Sequence, residues 1–259
     1  MNNDASNITP TTILLRLGEI ESTNLWLRDV DMDNYFLVAA AAEYQTGGRG
    51  QGGTVWESER GKNLTFSILT APMVKAAEQW NIQEAVACAL LYTLKKQVGK
   101  EQRPFFSIKW PNDIYWKDKK ISGTLAECTV RDGLISRCIV GIGINVNQRV
   151  FTSDAPNPIS LWEIKGEETD LKLLLDELIG CLTDTLKNSI GSPGAKPAGD
   201  TYSNYYKQNL YRKEGFHRYR DKDGEFVAET ESITPQGKLV LRLRDGKQRE
   251  YGLKEVEYI

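Results

Sequence analysis

The stretch Gly47-Gly48-Arg49-Gly50-Gln51-Gly52-Gly53-Thr54-Val55-Trp56 lies between two strand-like runs, Phe36 to Ala42 before it and Asn63 to Leu69 after it. Five glycines surround one arginine, and an aromatic residue closes the stretch. Glycine lets a backbone approach a ligand closely. Successive N–H groups in such a loop form an anion-binding nest, and arginine adds a planar, permanently charged fork. The chemistry suggested is capture of a small anionic ligand. The familiar glycine-loop folds do not fit. In a phosphate loop Gly61-Lys62 would be followed by Ser or Thr, but Asn63 follows, and Trp56 stands where the first glycine belongs. A dinucleotide fingerprint needs a helix directly after the glycines, and here a strand follows. Taken alone, the loop also reads as a surface loop that binds nothing.

Working outward, Ile13 to Ile20 reads as a short strand, and Glu21-Ser22-Thr23-Asn24 as a helix start ahead of Leu25-Trp26-Leu27. Phe36 to Ala42 is a continuous apolar run, consistent with a buried strand. Leu64, Phe66 and Ile68 alternate with polar residues, which predicts a half-exposed strand. Ala76 to Val98 carries Ile82, Val86, Leu90 and Leu94 at helical spacing. Strands are predicted at Phe105 to Lys109, Ile121 to Val130 and Leu134 to Val146, the last two joined through Arg131-Asp132-Gly133. Leu171 to Ile190 predicts a second amphipathic helix. Gly191 to Gly199 reads as a linker, followed by a polar, tyrosine-rich stretch to about Tyr211. Beyond it, the turn signals Asp223-Gly224, Pro235-Gln236-Gly237 and Asp245-Gly246 predict a small β-barrel.

With 259 residues, 40% hydrophobic and 26% charged, the composition is that of an ordinary globular protein. A net charge of −2 gives no electrostatic case for nucleic acid, and Lys95-Lys96 reads as a solvated face. No apolar run reaches membrane-spanning length, and Met1 to Thr12 lacks a signal-peptide core. Four cysteines without CxxC spacing and a single histidine, His217, argue against structural zinc and against a histidine-based triad. The expectation is reduced cysteines in a cytoplasmic protein.

Two further constellations carry chemistry. Lys109-Trp110-Pro111-Asn112-Asp113 ends a strand, and the segment returns through a hairpin turn expected at Asp118-Lys119 into Lys120-Ile121-Ser122-Gly123. It reads either as an ordinary turn with a surface lysine or as a lysine pointed into a polar cleft, where it holds a carboxylate or phosphate. Val140-Gly141-Ile142-Gly143-Ile144-Asn145 places two glycines inside a strand. Such glycines admit either a closely approaching ligand or tight packing of a neighbouring element.

Taken together these segments resemble the catalytic part of the biotin protein ligases. The resemblance is carried by Glu21-Ser22-Thr23-Asn24, by Glu43-Tyr44-Gln45 with Gly48-Arg49-Gly50 and Trp56, and by Lys109 to Asp113. It continues through Lys120-Ile121-Ser122-Gly123 to Glu127 and Gly141-Ile142-Gly143-Ile144-Asn145, and spans Ile13 to about Leu210. It implies an α+β fold: a mixed β-sheet packed against helices over residues 1–210, and a small SH3-like β-barrel over 211–259. It also implies activation of biotin by ATP to biotinyl-5'-AMP, with Mg²⁺ present, and transfer of biotin to a lysine of a biotin carboxyl carrier domain. Positioning and charge stabilisation would carry that reaction.

Residue by residue, the resemblance implies catalytic roles for Arg49 and Lys120. Biotin would meet Ser22, Thr23, Asn24, Gln45, Gly48, Arg49, Gly50, Gln51, Lys120, Gly123 and Gly141. ATP would meet Arg49, Gln51, Trp56, Lys109, Asn112, Asp113 and Asn145, with Asp113 the candidate carboxylate for its metal. Two departures stand out. Gln51-Gly52 replace the arginines that follow Gly-Arg-Gly in some relatives, and only about a dozen polar residues precede the first strand, too few for a DNA-binding helix-turn-helix. No DNA or membrane partner is therefore expected, and homodimerisation is left open. The nearest rival is a lipoate or octanoate ligase of the same fold, followed by a non-catalytic binding module. The loop is expected to order when ligand binds.

Overall fold

The computed structural model describes residues 11–50, 53–153, 155–190 and 201–259. Strands β1 (Thr11–Ile20), β2 (Tyr35–Gln45), β3 (Leu64–Thr70), β4 (Val74–Lys75), β5 (Phe106–Lys109), β6 (Asp113–Trp116), β7 (Lys119–Arg131) and β8 (Leu134–Ile144) form one eight-stranded sheet. Its order is β1-β2-β3-β8-β7-β6-β5, with β4 pairing β8. β1 runs parallel to β2 and the other pairs are antiparallel, so the sheet is mixed as expected. Helix α1 (Thr23–Trp26) follows β1, α2 (Gln79–Lys96) follows β4, and α3 (Leu161–Lys165) and α4 (Leu171–Ile190) follow β8.

One face of the sheet is dry. Leu64, Phe66 and Ile68 of β3 and Val140, Ile142 and Ile144 of β8 share a core cluster with the leucine stripe of α4 (Leu174, Leu178, Leu182, Leu186) and with Ile82, Val86, Leu90 and Leu94 of α2. The periodic leucines dictate this packing: residues three and four apart share a helix face. The helix starts are capped by their own sequence. Ser160 and Glu163 exchange side-chain-to-backbone hydrogen bonds at α3, and Asp170 accepts from the amides of Lys172 and Leu173 at α4.

Two expectations are corrected, and one stretch left without an assignment gains one. β3 is buried along its whole length, not half exposed. Its polar residues face the second side of the sheet, where Thr65 donates to the Ala42 carbonyl and Ser67 enters a polar network. The hairpin turn falls at Lys117-Asp118, one residue earlier than expected, with Lys117 at φ 52°. The tyrosine-rich stretch forms helix α5 (Thr201–Gln208). Tyr206 on that helix is fully buried, its ring 5.3 Å from that of Trp80 and its hydroxyl donating to the Pro111 carbonyl at 2.7 Å. The expected linker at 191–199 lies outside the described residues.

The C-terminal strands β9 (His217–Asp221), β10 (Gly224–Ile233), β11 (Leu239–Leu243), β12 (Gln248–Tyr251) and β13 (Glu257–Tyr258) form a separate five-stranded antiparallel sheet, order β12-β11-β10-β9-β13. Gly224, Gly237 and Gly246 in the three predicted turns all have positive φ, which is why glycine stands there. All four cysteines are free. Among the described residues no helix is long and apolar enough to cross a membrane.

Candidate active site

The second face of the sheet is hollowed by glycine. Pairing sets Thr65, Gly143 and Gly123 side by side on β3, β8 and β7, and Ser67, Gly141 and Leu125 in the next row on that face. Above each glycine lies a polar or aromatic side chain that a Cβ would obstruct. Asn24 Oδ1 lies over Gly141, the Trp56 indole over Gly143, and Lys120 Cε and Nζ over Gly123, 2.9 Å from where its Cβ would stand. The paired glycines therefore serve the approach of side chains rather than of another strand. The hollow is a cavity of 790 Å³, in the range that encloses small organic ligands.

One end of the cavity is neutral in balance, its Arg28 paired with Glu127, and is rich in hydrogen-bonding groups. Gln45 Oε1 accepts from the Thr23 amide at 2.7 Å and from its hydroxyl at 3.0 Å. Thr23 Oγ1 lies 2.6 Å from Ser67 Oγ, which donates to Asn24 Oδ1 at 2.6 Å. Asn24 Nδ2 donates to Glu127 Oε2 at 2.8 Å, and Arg28 pairs with the other oxygen of Glu127. This chain of contacts fixes the Asn24 amide orientation and couples four elements in one network, buried at Thr23, Asn24 and Ser67 and open to solvent at Glu127. Ser22 is buried and lines the same wall.

The other end is cationic. Lys120 Nζ pairs with Asp113 Oδ2 at 2.8 Å, and its backbone is pinned by Asn157 and Ile159 at 2.8 and 3.0 Å. Lys109 Nζ donates to Tyr115 Oη at 3.1 Å. Burial lowers the Lys109 ammonium below its ordinary value, with Asp113 opposing that shift and Arg212 adding to it. Asn145 sits just past the end of β8, its Nδ2 donating to the Ile159 carbonyl. Trp56 Nε1 is buried and has no hydrogen-bond partner among the described residues. A buried indole N–H left unmatched costs stability unless a ligand meets it.

Arg49 projects from the glycine loop at the rim. Its side chain is 59% exposed and its nearest acidic partner, Glu21 Oε1, is 3.9 Å away. The loop folds back on itself through Gly50 N to Thr54 O and Trp56 N to Gly48 O, which carries Trp56 into the cavity. Behind the rim, Glu57 accepts from the amides of Thr152 and Ser153 and from Gln148 Nε2.

Ser22, Thr23, Asn24, Gln45, Arg49, Gly50, Trp56, Lys109, Asp113, Lys120, Gly123, Gly141 and Asn145 thus all line one cavity. Gly48 stands just behind Trp56. The Asn112 side chain is turned away and donates to the Thr124 carbonyl. Gln51 and Gly52 of the Gly47 to Gly53 loop lie outside the described residues. Sequence reading did not single out Ser67, whose signal was a serine placed between apolar residues of a strand next to the loop. Glu127 entered only as the end of a motif. No cluster of three or more metal-ligating side chains occurs among the described residues.

Residues 19–145, which contain the loop, both glycine strands and Lys120, match the profile of the Biotin/lipoate A/B protein ligase family. The chain is 27% identical over 217 residues to the bifunctional ligase/repressor BirA of Bacillus subtilis, covering 81% of this chain and 63% of that protein. It is 27% identical over 216 residues to the biotin–protein ligase of Homo sapiens, covering 82% and 28%. It therefore spans less than two thirds of the length of these relatives. Among solved structures, the Aquifex aeolicus biotin protein ligase in complex with biotin and ATP superposes with a TM-score of 0.71 at 24% identity, over 96% of this chain and 99% of that one. That likeness extends the shared fold through the C-terminal sheet. Residues 19–145 belong to the biotin/lipoate A/B protein ligase family.

Proposed function

We propose that the chain is an ATP-dependent biotin–protein ligase, and that the cavity holds biotin at its neutral end and the nucleotide at its cationic end. The observation that carries this reading is the division of one cavity into two chemistries. Thr23, Gln45 and Asn24 offer paired donors and acceptors suited to a neutral cyclic urea, while Lys109, Lys120 and Arg49 suit a carboxylate meeting a phosphate. The complexes of the Aquifex ligase with biotin and ATP support the same pairing of ligands.

In the first half-reaction a carboxylate oxygen of biotin attacks the α-phosphorus of ATP and pyrophosphate leaves. Lys120, turning from Asp113, neutralises charge on both groups in the transition state. Trp56 stacks beside the adenine, and its free N–H gains a partner. In the second, the amine of a carrier lysine attacks the acyl carbon, AMP leaves, and the amine loses a proton. No protein nucleophile is required. Mg²⁺ would arrive with the triphosphate, and Asp113 is the carboxylate beside Lys120 able to meet it. The acceptor is a biotin carboxyl carrier domain.

The test is transfer of radiolabelled biotin to a carrier domain with and without ATP, with lipoate and octanoate in parallel. ATP-dependent labelling by biotin alone is expected. Transfer of lipoate or octanoate in preference to biotin would overturn the substrate assignment.

A further inference from the structure

Lys109 lines the cavity, yet one wall of its slot comes from the other sheet. Its ammonium meets the hydroxyl end of Tyr115, 4.9 Å from that ring's centroid, and lies 5.2 Å from the centroid of the Tyr258 ring on β13. The Tyr258 ring is itself held from three directions. It packs 5.1 Å from Tyr219 and 5.9 Å from Tyr211, and β13 pairs with β9 at Tyr258–Tyr219. Arg212 donates to the carbonyls of Arg218 and Ile259, tying the segment after α5 to both strands. A second contact fixes the same segment: Trp110 Nε1 donates to the Gly237 carbonyl at 2.9 Å. Neighbouring residues of the Lys-Trp-Pro-Asn-Asp segment thus each lean on the C-terminal sheet.

We propose that Tyr258 is a positioning residue for Lys109, its ring face holding the ammonium toward the nucleotide end of the cavity. This rests on the ligase reading for its kinetic consequence, but not for its physical basis. Tyr115 supplies the hydrogen bond that fixes the direction of Nζ, and Tyr258 supplies the opposite wall that keeps the stem from swinging toward solvent. The C-terminal sheet thereby sets the affinity of a site whose visible ligand groups belong to the larger sheet. Tyr258 itself acts through Lys109.

The experiment compares Tyr258→Phe, Tyr258→Leu and Tyr258→Ala in the full chain. Pyrophosphate release with biotin gives KM for ATP and for biotin separately. Leu and Ala are expected to raise KM for ATP about tenfold, on the order of a cation–π contact in a partly desolvated site. KM for biotin should stay within about twofold, and Phe, which keeps the ring, should match wild type. A second readout needs no activity: competitive acetylation across pH, followed by mass spectrometry of the Lys109 peptide. Opening the slot to water in the Ala and Leu variants raises the Lys109 titration midpoint, because burial is the main cause of its lowering. If Ala unfolds, the Phe–Leu pair decides. An unchanged KM for ATP and midpoint in Leu, or an equal loss in Phe, overturns the proposal. Absence of any pyrophosphate release by wild type would overturn the ligase reading instead, and the labelling midpoint would then judge Tyr258 alone.

Discussion

The cavity floor and the cavity rim are built on opposite principles. On the floor, Lys120 is ion-paired at 2.8 Å and its backbone is pinned on both sides, while Asn24 and Trp56 rest on glycines that leave no room for a methyl group. At the rim, Arg49 is 59% exposed and only loosely near Glu21. The floor is organised before substrate arrives and the rim is completed by it. Charge fixed in advance stabilises a transition state without reorganising, whereas charge recruited from solvent closes a site and retains what is inside.

The largest expected effect tests the floor. Lys120→Ala should lower biotinyl-adenylate formation on the order of a hundredfold or more, with the melting transition retained. A pyrophosphate-release rate within a factor of two of wild type would remove Lys120 from the reaction. The glycine pair sharpens the comparison at the next level. Gly143→Ala drives a methyl group into the Trp56 ring, and Gly141→Ala drives one into Asn24 Oδ1. Overpacking of that kind corresponds to roughly thirtyfold, expected in KM for ATP from the first and in KM for biotin from the second. If both variants raise both constants equally, the two ends of the cavity are not separate.

The rim should respond less in rate and more in retention. Arg49→Ala is expected to slow adenylate formation about tenfold, the scale of one charge-assisted hydrogen bond. It should also let adenylate escape, detected as biotin on bystander lysines of an added protein. No increase in bystander labelling would place Arg49 outside the site. The smallest effect concerns Glu57. Burial raises its carboxyl, but the hydrogen bonds from Ser153 and Thr152 outweigh that and hold it below its ordinary value of 4.5. A lowered folded value means the latch contributes above pH 4.5 and is lost as pH falls through the folded value. Glu57→Gln should therefore lower Tm at pH 7 by no more than about 2 °C. The difference should vanish in acid, and a difference that grew there would contradict the assignment.

What the sequence disclosed followed the same division. Periodicity found α2 and α4, because apolar residues at helical spacing mark a face that packs on a core. Glycines and cations found most of the cavity wall, because their chemistry is unusual wherever it stands. Alternation misled at β3: it distinguishes two faces but cannot say that the second face is lined by a ligand cavity instead of solvent. Ser67 was lost by that same error. Helix α5 was missed because its apolar side consists of tyrosines, which a hydropathy pattern scores as polar. The bracket of Tyr115 and Tyr258 around Lys109 is invisible in sequence, since nothing local joins β5 to β13.

The hydrogen bond from Trp110 to Gly237 spans 127 positions of chain. A polypeptide emerging at about 5–20 residues per second needs roughly 6 to 25 seconds to make that span. Once β8 has emerged the large sheet has all its strands, yet Lys109 has no wall on its far side until Tyr258 follows. The protein thus acquires its grip on nucleotide late in its own synthesis, and chains released early carry the loop, the glycines and Lys120 without a finished slot for Lys109.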